Sequence, residues 1–329
     1  MLSQDSDYAV FAQYTSKHFK NSINSIDCDS VEKNFVLGTT DEGYYFIYST
    51  YKALCKYCCH TKRKTVLTDA RWKKNDLQTF ATSSLDGNLR IYDLLSPKEP
   101  THEYGSGSQI HGISFNYKSP IVACAQNDGM TRLYDLRQKV NLNALDTDFE
   151  DSINVVEWSP ASEYSIVCGD SAGRLCYFDI RQMKEVYEFR WWKMEIDDDD
   201  DSFAHENEII GLTYSKNGRT IHTLDKDGVI RLWDADSGLT QMIEYKLDSP
   251  PNRARRYGIC MLGNDLAVPE RNSINVITRR QKMLGHMQDV NAVVETLDGV
   301  ASVGMDKNLL VWRKKDEMMI ENDVSDWSD

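Results

Sequence analysis

His286, Ser302 and Asp306 are the residue types of a nucleophile, its base and an orienting acid. Alone they would suggest acyl-transfer chemistry. A second set argues against that reading. His205, Thr223, Asp227 and Trp233 stand against His286, Ser302, Asp306 and Trp312, with the last three at identical spacing. A nucleophile repeated along a chain serves no mechanism, whereas a buried carboxylate and a buried indole N–H each need a partner wherever they recur. Both sets are therefore read as structural tetrads, and no catalytic residue is expected. Cys55-Lys56-Tyr57-Cys58-Cys59-His60 supplies half a zinc site, but no second Cys/His pair follows at the required spacing. The expectation is an outer strand carrying small apolar thiols, with no metal and no cofactor.

Two arginines fall two residues after a strand-ending acid, in Asp135-Leu136-Arg137 and Asp179-Ile180-Arg181. From that position a guanidinium leaves the strand and can meet a carboxylate or carbonyl bidentately, or be merely solvated. Trp191 and Trp192 precede an aspartate run, Asp197 to Asp201. That segment is either a partner-binding loop or a solvated insertion whose indoles pack on the fold. Arg253-Ala254-Arg255-Arg256 and Lys62-Arg63-Lys64 are short basic runs, read as surface, with a nuclear address as the alternative.

The elements that must position these residues announce themselves by repetition. Asp86-Gly87 with Arg90-Ile91-Tyr92-Asp93 returns as Asp128-Gly129 with Arg132-Leu133-Tyr134-Asp135, as Gly173 with Tyr177-Phe178-Asp179, and as Asp227-Gly228 with Arg231-Leu232-Trp233-Asp234. It closes as Asp306-Lys307 with Val311-Trp312-Arg313, and Ser49 and Thr278 end two eroded copies. A period in the forties with this ending marks propeller blades. Within a unit, Val155-Val156-Glu157-Trp158, Ile166-Val167-Cys168 and Arg174-Leu175-Cys176-Tyr177-Phe178 read as strands broken by Ser159-Pro160 and Ala172-Gly173. The expectation is an all-β, single seven-bladed propeller over residues 8–315. A short extension, 1–7, precedes it, a loop is inserted at 189–203 between blades four and five, and an acidic tail fills 316–329. Blade seven lacks an outer strand after Arg313, and residues 8 to 14 have the strand character to supply it and clasp the ring shut.

Composition bounds the rest. With 41% apolar residues and 10% aromatics the 329-residue chain can fill a core. A net charge of −13 argues against phosphate-driven nucleic-acid binding and suits protein partners. No run of eighteen apolar residues offers a membrane span, and eight cysteines without a signal sequence read as reduced thiols in the cytosol or nucleus.

The blade phrases resemble those of WD-repeat proteins. The ordered combination of Ile23-Asn24-Ser25-Ile26-Asp27, Trp72 to Asp93, Trp158-Ser159-Pro160, Glu206 to Asp234, Val268-Pro269 and Asp326-Trp327-Ser328-Asp329 is similar to the Cockayne syndrome A family. That resemblance implies a nuclear, non-catalytic substrate receptor of a cullin-RING ubiquitin ligase, acting in transcription-coupled DNA repair. The implied partners are the damaged-DNA-binding adaptor, the Cockayne syndrome B ATPase and the RNA polymerase II elongation complex. The family's adaptor box ends Trp/Tyr-Asp-x-Arg. Asp179 and Arg181 match its blade, although Ala172 replaces the expected acid, while Asp135 and Arg137 keep the acid as Asp128. Met1 to Asp7 are shorter than the family's helical extension, so docking is expected to rest on the propeller face.

Overall fold

The protein is described by a computed structural model that covers residues 7–61, 63–138, 140–145, 149–191, 203–249 and 256–316. Trp192, Asp197 to Asp201, Lys62, Arg253 to Arg255 and the acidic tail from residue 317 lie outside the described residues.

Seven four-stranded antiparallel sheets form the molecule. Blade one is Ile23–Cys28, Phe35–Thr40, Tyr44–Ser49 and Leu54–His60; blade two begins at Leu67–Trp72, blade three at Ile110–Phe115, and blade four at Ile153–Trp158. Blade five begins at Ile209–Tyr214, blade six at Cys260–Leu262, and blade seven at Val290–Thr296. The first strand of each blade contacts that of the next, and Val290–Thr296 contacts Ile23–Cys28 to complete the circle. The chain is a seven-bladed β-propeller. Its closure is the expected clasp: Tyr8–Thr15 is the fourth strand of blade seven, pairing Tyr8 with Lys314 and Thr15 with Asn308 across a bulge at Phe11.

Inner strands such as Ile121–Gln126 are buried along their whole length and produce the core. Side chains of successive residues point to opposite faces of a sheet, and both faces of a blade meet a neighbour. The buried apolar residues accordingly form seven clusters, one in each gap between blades. Leu37, Tyr45 and Ile47 of blade one pack on Trp72, Phe80 and Tyr92 of blade two, for example. Each such large side chain, fully buried, contributes roughly 3 kcal/mol.

Polar side chains on the first strands stitch neighbouring blades. Asp27 accepts from the Trp72 backbone N–H at 2.8 Å, Asp69 from Ile113 at 3.1 Å, and Ser114 from Trp158 at 3.1 Å. One further contact crosses the ring. Gly258 bridges to Ala292, and two residues earlier Arg256 enters the axis and pairs with the buried Asp69 of blade two. The missing side chain at Gly112 makes room, since a Cβ there would come within 2.9 Å of the guanidinium. Asp69 also accepts from Ser25 at 2.6 Å and lies 3.4 Å from Arg71. Burial alone would raise its carboxyl, but Arg256 and Arg71 hold it below the ordinary carboxylate range.

Arg256→Ala leaves that carboxylate buried with one cation fewer. It should lose roughly 3 kcal/mol of unfolding free energy. Adding Asp69→Asn, which removes the stranded charge, should recover part of the loss in urea denaturation.

Candidate functional site

Alternate rims of the ring carry different turns. One rim bears the turns that join first to second and third to fourth strands; the opposite rim bears the remaining turns and the loops between blades. Asp135 and Asp179 end third strands, so both Asp-x-Arg sequences lie on the first of these rims, on adjacent blades.

The two copies have the same geometry. Asp135 accepts from the Arg137 backbone N–H at 2.9 Å and from its Nε at 2.9 Å; Asp179 accepts from Arg181 at 2.9 and 3.0 Å. Those hydrogen bonds hold both carboxyls below their ordinary value. The acids are buried, but the guanidiniums remain 66% and 63% exposed. Each arginine is thus aimed by its own aspartate while most of its donors face solvent. In blade four the Arg181 guanidinium also lies 4.7 Å from the centre of the Tyr164 ring, a cation–π contact. Blade three has Pro120 at the matching position, where its carbonyl accepts from Leu136 as Tyr164 accepts from Ile180. Asp128, the acid of the implied adaptor box, is on the opposite rim, paired with Arg132 at 2.8 Å. Ala172 in place of that acid therefore leaves the setting of Arg181 intact. Sequence reading missed Leu95, which occupies the same turn position in blade two, donates its N–H to Asp93 at 2.8 Å, and is 80% exposed. An exposed leucine after a strand-ending aspartate was the available signal.

The tetrads run as continuous hydrogen-bond chains. In blade seven the Trp312 indole N–H donates to Ser302 at 2.8 Å, the hydroxyl is 2.8 Å from His286 Nε2, and Nδ1 is 2.9 Å from Asp306. Burial would raise the Asp306 carboxyl, but His286 and the backbone N–H groups of Met287 and Asn308 hold it down. Blade five corrects the expected membership. Trp233 donates to Thr223 at 2.9 Å and Thr223 meets His205 Nε2 at 2.7 Å, yet the acid on Nδ1 is Asp225, at 3.1 Å, and not Asp227. Asp225 ends a strand with its side chain turned inward, while Asp227, two residues on in the turn, accepts from Asn207 at the rim. Blade seven has Gly304 at the Asp225 position, so there the turn residue Asp306 must serve. Burial lowers the His205 pKa, consistent with a neutral imidazole that donates from Nδ1 and accepts at Nε2. With Asp225 in place of Asp227, all eight tetrad side chains except Asp306 belong to buried residues, so no substrate carbonyl can reach the hydroxyls.

Blade four keeps the acid of this arrangement without its imidazole. Asp170 matches Asp225 in register, opposite Ile153 as Asp225 is opposite Ile209. Phe149 and Phe178 pack together where blade five has His205 and Trp233. Asp170 Oδ1 accepts the N–H groups of Ala172 and Arg174, and Oδ2 is buried without a partner among the described residues. Burial pushes its carboxyl up to about 6 against those two N–H donors.

Cys55, Cys58 and Cys59 lie on the outer strand of blade one as free thiols, with Cys55 and Cys59 pushed above the ordinary range by burial. Among the described residues no three His, Cys, Asp or Glu converge as a metal site. Trp191 is half-buried, lying over the Arg231 guanidinium at 4.2 Å and edge-on to Trp233, so it packs on the flank of blade five.

The WD domain, G-beta repeat model matches residues 201–234, the approach to blade five and its first three strands. The chain is a seven-bladed propeller that carries a WD40 repeat. It is 24% identical over 179 residues to the periodic tryptophan protein 1 homolog of Drosophila melanogaster, covering 53% of this chain and 36% of that protein. It is 24% identical over 181 residues to the small ribosomal subunit protein RACK1 of Neurospora crassa, covering 54% and 55%. Against the WD repeat-containing protein ATCSA-1 of Arabidopsis thaliana it is 23% identical over 191 residues, covering 51% and 41%. The chain therefore spans about half or less of the length of these curated relatives.

Asp170 gives this WD40 propeller a testable pH signature. Its folded pKa stands above the ordinary 3.8, so its neutral form suits the fold and stability falls as pH rises from about 4 to about 6. Asp170→Asn should raise the melting temperature at pH 8, reflecting up to roughly 3 kcal/mol for a shift of about two units. The gain should vanish near pH 4.

Proposed function

We propose that this WD40 propeller is a non-catalytic substrate receptor of a nuclear cullin-RING ubiquitin ligase, acting in transcription-coupled DNA repair. The observation that carries the reading is the ledge of Leu95, Arg137 and Arg181 on one rim of blades two to four. Two guanidiniums are fixed by their own aspartates with donors free, and an exposed leucine stands in line with them. A pre-aimed arginine loses little side-chain freedom when a carboxylate or carbonyl docks on it, and arginine beside an apolar anchor is a common composition for an interface hot spot. The likeness to the Cockayne syndrome A family, and the partial match to ATCSA-1, support assigning this ledge to the damaged-DNA-binding adaptor. In that arrangement the opposite rim would face the client, with the Cockayne syndrome B ATPase and the RNA polymerase II elongation complex as its partners. Ligase chemistry would then reside on other subunits, and this chain supplies position.

The second reading is a WD-repeat scaffold in a chromatin or RNA-processing complex with no ligase link. The variety among the matched proteins favours keeping it, since one is named as a ribosomal subunit protein.

Adaptor pull-down separates the two. Wild-type chain should retain the damaged-DNA-binding adaptor, and Arg137→Glu with Arg181→Glu should weaken retention by about thirtyfold or more, the size of a roughly 2 kcal/mol hot spot. No binding by the wild type sinks the receptor reading. Normal binding by the double variant sinks only the ledge.

A further inference from the structure

Several exposed or half-buried cations on this propeller have an acidic partner. Lys33 and Lys216 share Glu295, Arg132 meets Asp128, Lys226 meets Glu208, Arg279 meets Asp265, and Lys282 meets Asp248. One corner differs. On the rim opposite the arginine ledge, the loop entering blade one carries Lys17, His18 and Lys20, and the loop leaving it carries Arg63 and Lys64. All five are exposed, and among the described residues the four Lys and Arg side chains make no ion pair.

Hydrogen bonds bring the two loops onto one spot. The turn Asp41-Glu42-Gly43 lies between them. Asp41 N–H donates to Ser22 of the entering loop, and Thr61 of the leaving strand donates its N–H to Gly43 at 2.9 Å. Thr61 Oγ1 then bonds the Arg63 carbonyl at 2.7 Å, setting where Arg63 and Lys64 emerge. Gly43 has a φ of 84° and its missing Cβ would come within 2.9 Å of the Thr65 carbonyl, so the leaving loop can lie against the turn only because this residue is glycine. From the other side His18 stacks on Tyr44 at 5.6 Å, and Tyr44 meets the edge of His60 at 4.5 Å. Two acids, Asp41 and Glu42, sit in the turn between the loops, and Glu42 Oε2 is buried without a hydrogen-bond partner among the described residues. Asp41 accepts from Ser22 and Asn24, and Glu42 accepts from the Asn21 backbone N–H.

We infer that this corner of blade one is a docking site for an extended acidic peptide, a segment rich in Asp or Glu on a partner protein. Cations on two loops flanking one turn present positive charge on both sides of it, which suits carboxylates on an extended chain laid across it. His18 stacks on Tyr44 and Tyr44 meets His60 edge-on, so the Tyr44 ring is taken up by its neighbours rather than open for stacking bases. The net charge of −13 also repels a long polyanion at distances where a short peptide would still be drawn to the local field. This inference does not rest on the receptor reading, because the corner and the arginine ledge lie on opposite rims.

The test uses the full chain alone, without adaptor, and a labelled oligoglutamate peptide followed by fluorescence anisotropy. Wild type should bind it at low salt, more weakly at physiological salt, and should bind oligoglutamine not at all. Lys17→Glu, Lys20→Glu, Arg63→Glu and Lys64→Glu together should weaken binding by about tenfold or more at low salt. The same number of reversals on the opposite rim, Lys52→Glu, Lys118→Glu, Lys184→Glu and Arg219→Glu, changes net charge equally and should leave binding within about twofold. A thermal melt of both variants confirms folding. Equal losses in the two variants, absence of wild-type binding, or tighter binding of oligothymidylate than of oligoglutamate would each overturn the assignment.

Discussion

The ring is closed by backbone pairing between Tyr8–Thr15 and Asn308–Lys314, and every other contact in the propeller presumes it. Seven inter-blade cores exist only if the seventh blade returns to the first. An open ring would leave the faces of two blades wet and the third strand of blade seven without an edge partner. The clasp is reinforced by side chains. Tyr14 packs with Phe19, Phe46 and Tyr48 across the seam, and Arg313 covers the Phe11 ring at 3.6 Å. Closure fixes the angular position of each blade, and through it the spacing of the arginines on one rim and of the cationic loops on the other.

Inside that ring the polar groups divide into two kinds. The tetrads of blades five and seven are complete, and each is local to one blade. The Asp69–Arg256 pair is non-local, drawing an inter-blade linker into the axis and binding it to the far side. Blade four stands between these cases, holding the inward acid with phenylalanines where the imidazole and indole would be. The propeller thus tolerates the under-partnered carboxyl of Asp170, which burial handles by keeping it largely protonated at mildly acidic pH.

Much of this was legible in the chain because the repeat displays its own period. The blade phrases located third strands and the clasp, and the tetrad of blade seven followed from spacing. The same spacing rule misplaced the acid of blade five. Asp225 and Asp227 are two residues apart, and identity of spacing with blade seven selected the turn residue, although Gly304 had removed the inward alternative there. Arg256, expected at the surface with its basic neighbours, is instead buried against Asp69. It belongs to a loop without periodicity and meets a partner 187 residues away. The Asp-x-Arg sequences marked the arginines, but not that each would be clamped by its own aspartate.

Among the described residues the strand that completes blade seven is the earliest strand, and its partner is the last. During synthesis Tyr8–Thr15 emerges first and then waits, unpaired, until nearly three hundred further residues have been made. Six blades can assemble from local hairpins while this segment remains an unsatisfied strand. Its pairing therefore carries the largest sequence separation in the fold and the largest loop-closure cost. That separation favours closing the ring last, and an unclosed propeller would expose an edge on which another chain could add a strand.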